Sequence, residues 1–197
     1  MVLLKGSKLS QMVLAAMFLA LAIVLPFLTG QIPQIGGALC PMHIPVILCG
    51  FICGPWYALF VGAAAPVLRF FMFGMPPLFP SGLAMCFELA AYGVCSGVLF
   101  RILPYKKINV YITLIVSMVF GRLVWGVVRA VLMGLGQAEF GIELFIADGF
   151  VRAVPGIILQ IILIPILVIS IESYLRRNAA QAEVPKKSVK EEKNGGF

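Results

Sequence analysis

The side chains with the greatest chemical potential in this sequence are charged residues that lie inside long apolar runs. Those considered for chemistry are the acid Glu88 and four arginines, Arg69, Arg122, Arg129 and Arg152. An ionised side chain at the centre of a bilayer costs about 2.5–3.5 kcal/mol on insertion scales, so such residues normally face a cavity, a partner or a transport pathway. Because arginine presents a fixed fork of donors to carboxylate or phosphate, the set indicates a pocket for an anionic or strongly polar small molecule.

Aromatic residues accompany these charges at helical spacing. Arg122, Trp125 and Arg129 follow an i, i+3, i+7 pattern, which places them on one face of a helix. Tyr92 lies one turn from Glu88 on a different helix. Aromatic side chains beside polar donors suit a flat heterocycle, so a ring-containing ligand is favoured.

A structural interpretation of the same charges stays open. Glu88 can pair with one arginine to hold two helices together, while Arg69 and Arg152 extend to the outer headgroups. In that case the charges stabilise the helix bundle and bind no ligand.

His43 is the single histidine of the chain and precedes Pro45 at the start of a short apolar run. It has no recognisable partners for a metal site or a nucleophile triad, so ligand binding at the pocket rim and a structural role at the helix start are both open. Cys49 and Cys53 are four residues apart, but no second pair completes a metal site. No metal is therefore predicted.

The composition places the elements that carry these residues in a membrane. Of 197 residues, 61% are hydrophobic and 12% are charged, against roughly 45–50% and about 25% in soluble domains. This much apolar surface cannot be buried in the single core that a chain of this length builds. A cytosolic enzyme, a disordered regulator and a nucleic-acid-binding domain are excluded, and we expect an all-α integral membrane protein with no nucleic-acid partner.

Six transmembrane helices are predicted from apolar runs that Pro, Gly and charged residues delimit. The second helix is shorter than a full span. A membrane domain at 9–176 then follows a cytosolic segment at 1–8 and precedes a charged cytosolic tail at 177–197 that is too polar to order itself. The predicted helices span residues 9–29, 42–53, 56–73, 81–100, 108–135 and 150–174.

Lys and Arg place both termini in the cytosol, because the three outer loops of that topology contain neither residue. The same distribution accounts for the formal charge of +7 without an anionic partner. With this orientation, helices three and five rise outward while helices four and six descend from outside. Arg69, Glu88, Arg129 and Arg152 are thus expected to converge in the outer third of the membrane, on a multi-pass protein.

A family resemblance rests on three features of the chain. The first helix repeats small residues at Ala16 and Ala20, a spacing that allows close helix packing. The second and third helices contain the stretch His43-Ile44-Pro45-Val46-Ile47-Leu48-Cys49-Gly50-Phe51-Ile52-Cys53-Gly54-Pro55-Trp56-Tyr57-Ala58-Leu59-Phe60-Val61-Gly62. The fourth helix follows a Pro76-Pro77-Leu78-Phe79-Pro80 loop. Over about residues 9–176 the chain resembles the substrate-binding S components of energy-coupling factor (ECF) vitamin transporters.

The resemblance implies a binding subunit for a water-soluble vitamin in a bacterial cytoplasmic membrane, with the vitamin B6 group or pantothenate as lead candidates. It implies docking through Ala16 and Ala20 on a scaffold membrane subunit that works with two ATPase subunits, and outer loops at 30–41 and 73–80 that cover the ligand. The chain has no Walker A pattern, so ATP hydrolysis belongs to the partners and no enzymatic activity or cofactor is expected. The expected ligand-binding residues are His43, Arg69, Glu88, Tyr92, Trp125, Arg129 and Arg152.

Two other functions stay open at this point. One is a membrane enzyme with an outer-leaflet site, in which Glu88 acts as acid or base beside His43 or Asp148. The other is a helper subunit without a ligand, whose charges only support the helix bundle.

Overall fold

The chain folds as a bundle of α-helices in the computed structural model, which describes residues 8–29, 39–104, 106–135, 146–151 and 153–194. No strand occurs within these ranges. A short 3-10 turn, Leu25–Thr29, continues the first helix, a kinked segment at Leu78–Gly82 with Phe79 in an extended conformation precedes the fourth, and a π-helical turn at Ala147–Val151 precedes the last. The all-α prediction is confirmed. The helices are α1 (Lys8–Val24), α2 (His43–Ile52), α3 (Pro55–Phe73), α4 (Leu83–Ile102), α5 (Lys107–Leu135) and α6 (Val154–Asn194).

Five helical segments are long and apolar enough to cross a membrane. They are Lys8–Phe27, Pro55–Phe73, Leu78–Ile102, Lys107–Gly134 and Val154–Tyr174. The helix α2 has 10 residues and rises about 15 Å, half of a hydrocarbon layer of ~30 Å. The predicted shortness of the second helix is confirmed, and the chain is a multi-pass membrane protein. Six crossings and cytosolic termini stay predictions.

The helix α6 continues through the charged tail to Asn194, where the sequence predicts no ordered element. Ala, Gln, Glu and Lys are common in this segment and favour a helix, whereas Pro185 in its middle disfavours one, so local propensity alone does not account for the extension. The helix does not end at the predicted domain boundary, and the division of the chain at residue 177 stays a prediction.

The centre of the bundle is formed by α4 and α2. Helix α4 packs against α2, α3 and α5, whereas α2 contacts α1, α3, α4 and α6. All ten residues of α2 are buried. In contrast, α1 buries only Ala15 and Ala22 among its residues. The short helix α2 is thus enclosed by the others, and its first residue, His43, is held in the interior.

The turn from α2 to α3 depends on Gly54. Its φ angle is 100°, a conformation that residues with a Cβ rarely adopt. A Cβ there would also collide with the guanidinium of Arg101, which packs against the turn from the end of α4. Pro55 then starts α3 at the helical position that proline favours. The turn joins α2 to α3 and fixes where α2 ends and α3 begins.

Candidate functional site

A buried ionic cluster joins α2, α4 and α5. Glu88 on α4 is 1% exposed, and its Oε1 lies 2.9 Å from Nη1 of Arg122 and 3.3 Å from Nε2 of His43. A carboxylate removed from water needs a charged or hydrogen-bonding partner to stay ionised. Glu88 obtains one partner from α5 and a second from the start of α2, so the carboxylate holds three helices at one point.

Arg122 extends this cluster to the segment that precedes α2. Its Nη2 donates a hydrogen bond to Sγ of Cys40 over 3.4 Å. Within the described part of the chain, Nε of Arg122 and both ring nitrogens of His43 are buried without a hydrogen bond, although Nε2 of His43 lies 3.3 Å from Glu88. Buried polar atoms in native proteins nearly always have partners, which makes this cluster a candidate site for a bound polar group.

Tyr92 packs against the same cluster. Its ring meets the ring of His43 edge to face, with centroids 5.1 Å apart and an interplanar angle of 78°. A Cβ added to Gly121 would lie 2.7 Å from Cδ2 of Tyr92. Because Gly121 immediately precedes Arg122, the same stretch of α5 makes room for the phenol and supplies the guanidinium.

A cavity of about 180 Å³ lies between α4, α5 and α6 beside this cluster. Its lining is almost entirely apolar, although Tyr92 and Arg122 are among the residues around it. Its volume is below the ~300–1,000 Å³ of pockets for drug-sized ligands, so it suits a smaller molecule. The residues that line it are Tyr92, Ile115, Met118, Val119, Arg122, Ile157 and Ile161.

Trp125 and Arg129 continue the site along α5. The Cζ atom of Arg129 lies 5.2 Å from the centroid of the Trp125 ring, a cation–π geometry. Trp125 is buried and Arg129 is half-buried. The structure therefore places an aromatic surface and a second guanidinium one to two helical turns beyond Arg122.

The contacts of Arg69 are with the end of α1 and with two phenyl rings. Its Nη1 donates a hydrogen bond to the carbonyl oxygen of Ile23 over 2.8 Å, and its Cζ lies 5.4 Å from the ring centroid of Phe27 and 5.7 Å from that of Phe73. These contacts put Arg69 where the C-terminal ends of α1 and α3 meet. The expected convergence of Arg69 on Glu88 is not found, because the guanidinium is occupied by a backbone carbonyl and two phenyl rings.

Of the remaining predicted residues, Arg152 and most of the loop at 30–41 lie outside the described residues. Ala16 and Ala20 are both exposed on α1, on the side away from the buried Ala15 and Ala22. No three His, Cys, Asp or Glu side chains of the described ranges are grouped to hold a metal ion.

Arg122 and Cys40 are the site residues that the predicted ligand set omits. For Arg122 a signal exists, since an arginine near the middle of a predicted span needs a counter-ion, and Glu88 is the one acid inside the apolar runs before α5. Cys40 gives no such signal, because a loop cysteine has no periodicity from which its neighbours follow.

The described helices thus form a membrane bundle with a buried polar cluster beside a small cavity. The chain matches the family model described as ECF transporter, substrate-specific component, over residues 10–171. It therefore belongs to that family, whose members are binding subunits of transporters rather than enzymes and work with ECF module partners. No curated protein and no solved structure matches the chain significantly.

Proposed function

We propose that this chain is the high-affinity subunit for uptake of a water-soluble vitamin across a bacterial cytoplasmic membrane, with six membrane crossings and both termini in the cytosol. The observation that carries the proposal is the cavity between α4, α5 and α6, which adjoins a buried charge cluster in a chain of the S-component family.

The size and lining of the cavity favour a vitamin with one ring or a short chain, and the vitamin B6 group and pantothenate are the lead candidates. Tyr92 offers an aromatic face, and Nε of Arg122 offers a donor to an acceptor atom of the ligand. His43 and Glu88 hold Arg122 in place. Trp125, Arg129 and Arg152 complete the proposed ligand-binding set at the outer end of the site.

A thermal-shift screen of the purified chain against B vitamins and their phosphorylated forms tests the binding function. A ligand at 100 times its dissociation constant adds roughly 2.7 kcal/mol to the folded state, so a specific ligand raises the melting temperature clearly. If no compound stabilises a chain shown to be folded, the helper-subunit interpretation replaces the vitamin-binding one.

Two tryptophan substitutions on α6 locate the binding site. Ile161 lines the cavity, whereas its neighbour Ile162 is 57% exposed on the outside of the bundle. We expect Ile161→Trp to fill the cavity and remove the stabilisation by the ligand, while Ile162→Trp retains it. Equal ligand stabilisation of both variants would place the binding site elsewhere.

We further propose that α1 docks on a scaffold membrane subunit that works with two ATPase subunits, which hydrolyse the ATP. The support is the exposure of Ala16 and Ala20, whose small side chains allow a second helix to approach closely. Ala16→Trp or Ala20→Trp should abolish co-purification with the scaffold and leave ligand stabilisation unchanged. Leu21→Trp is the matched control, because Leu21 is exposed but lies about 100° around the helix from Ala20. Equal loss in all three variants would refute a specific alanine face.

A further inference from the structure

We infer that Arg69 is a positioning residue that holds the C-terminal end of α1 against α3, and that it acts on the orientation of α1 and not on the ligand. The structural part of this inference is independent of the proposed function. Its consequence for docking rests on the proposed role of the Ala16 and Ala20 face.

The first observation is that Arg69 donates its hydrogen bond to a carbonyl group at the end of α1. Ile23 is the penultimate residue of α1, and the last carbonyl groups of an α-helix have no partner inside the regular helix. The Arg69 guanidinium donates to the Ile23 carbonyl over 2.8 Å. A cation at a helix C-terminus also interacts favourably with the negative end of the helix dipole. Arg69 therefore acts as a cap for α1 that a different helix supplies.

The second observation is the aromatic enclosure of the same guanidinium. Phe27 follows α1 and Phe73 ends α3, and each ring lies within 6 Å of Cζ of Arg69. The two rings also touch each other edge to face, with centroids 4.8 Å apart. Phe27, just after α1, and Phe73, at the end of α3, thus pack on the guanidinium. Separation of the two helix ends would remove the contact between the two rings and at least one cation–π contact.

The third observation is that α1 has few fully buried side chains. Only Ala15 and Ala22 are buried within the helix, while Leu14, Phe18 and Leu19 are partly buried against the core. Packing along α1 therefore leaves part of its surface exposed, and the polar and aromatic contacts at its C-terminal end add to what fixes its orientation. Since Ala16 lies two turns before Ile23, a shift of that end also tilts the exposed alanine face.

Hydrogen–deuterium exchange on the full chain in detergent tests the structural part. In Arg69→Met we expect the amides of residues 24–29 to exchange on the order of tenfold faster, because the cap and the ring enclosure are lost. Arg69→Lys should restore part of the protection, since an ammonium group can still donate to the Ile23 carbonyl. Leu68→Ala, which alters the exposed neighbour on α3, should leave the exchange of α1 unchanged, and the amides of α4 serve as an internal reference in every variant. Exchange of residues 24–29 in Arg69→Met at the rate of the unmodified chain would overturn the inference.

Two further measurements on the same variants separate positioning from ligand binding. With pyridoxine and pantothenate as probes, we expect Arg69→Met to retain the thermal shift of the unmodified chain and to recover less scaffold subunit on co-purification. A lost thermal shift together with unchanged exchange of α1 would make Arg69 a ligand-binding residue and overturn the inference. If the unmodified chain responds to neither probe, the proposed vitamin specificity fails, while the exchange of residues 24–29 still decides the role of Arg69.

Discussion

Arg122 and Arg69 are both buried arginines on apolar helices, with 7% and 5% of their surface exposed, yet their surroundings differ. Arg122 on α5 faces a carboxylate and a thiol from two other parts of the chain, and it lines a cavity. Arg69 on α3 faces a backbone carbonyl and two phenyl rings.

The partners of the two guanidinium groups therefore indicate different roles for Arg122 and Arg69. A neutral carbonyl and two rings can satisfy a cation without any second charge, and such an arrangement holds helices together. A buried carboxylate is itself costly, and replacement of a buried ion pair by apolar residues is often neutral or stabilising. The Glu88–Arg122 pair beside a cavity therefore fits the proposed binding role, whereas the contacts of Arg69 fit the proposed support of α1.

Removal of Arg122 should have the largest effect on stability. Arg122→Met leaves the Glu88 carboxylate buried without its main partner, which typically costs about 3–5 kcal/mol of unfolding free energy. The double variant Glu88→Gln, Arg122→Met should lose less than the sum of the two single variants, because neither charge is then left alone. Chemical unfolding of the detergent-solubilised protein measures these differences, and strictly additive losses would show that the pair is not coupled.

Removal of Arg69 should cost less, about 1–3 kcal/mol, because Arg69→Met leaves only a neutral carbonyl of α1 without its partner. Arg69 shares no partner with Glu88, so the losses in Arg69→Met and Glu88→Gln should add within about 0.5 kcal/mol. The same unfolding measurement on the double variant checks this. A larger coupling free energy between the two substitutions would mean that Arg69 belongs to the same network as Glu88 and Arg122.

Gly121→Ala should disturb the surroundings of Arg122 and leave those of Arg69 unchanged. The new Cβ would collide with the ring of Tyr92, and overpacking of this kind typically costs about 1–3 kcal/mol. Gly134 on the same helix has nothing within 4 Å of an added Cβ, so Gly134→Ala should be neutral or slightly stabilising. Thermal unfolding of both variants tests the contrast. If hydrogen–deuterium exchange at the end of α1 became faster in Gly121→Ala, the surroundings of Arg122 and of Arg69 would not be independent.

His43→Phe should give the smallest loss, about 0.5–1.5 kcal/mol. Phenylalanine retains a ring against Tyr92 but removes the contact between Nε2 and Glu88, while the stronger partner Arg122 stays in place. The melting temperature reports the loss. A destabilisation as large as that of Arg122→Met would show that the histidine, and not the arginine, is the principal partner of Glu88.

The helices and much of the cluster follow from the sequence. Apolar runs with Pro, Gly and charged boundaries predict each helix, including the short α2, and intramembrane depth singles out Glu88. The i, i+3, i+7 spacing predicts that Trp125 and Arg129 share a face of α5, and the structure places these two side chains in contact. Helical spacing is reliable here because 3.6 residues per turn fix which side chains share a face of a helix.

The contacts of Arg69 with Ile23 and of Arg122 with Cys40 do not follow from the sequence. Periodicity gives the face of α3 that carries Arg69, but contact with Ile23 depends on where α1 ends and how the two helices cross. Cys40 reaches Arg122 through a backbone with φ of 47°, which local propensity does not predict for cysteine. Both contacts are tertiary, and a single sequence contains no periodic signal for them.

The enclosure of α2 sets an order for assembly during synthesis. A helix with a rise of about 15 Å cannot cross the bilayer on its own, so α2 is expected to enter together with α3 across the Gly54 turn. Because α2 also contacts α6, its surroundings are complete only when the last helix leaves the ribosome. A nascent chain that stops before Val154 would present an unfinished core to the proteases that remove unassembled membrane proteins.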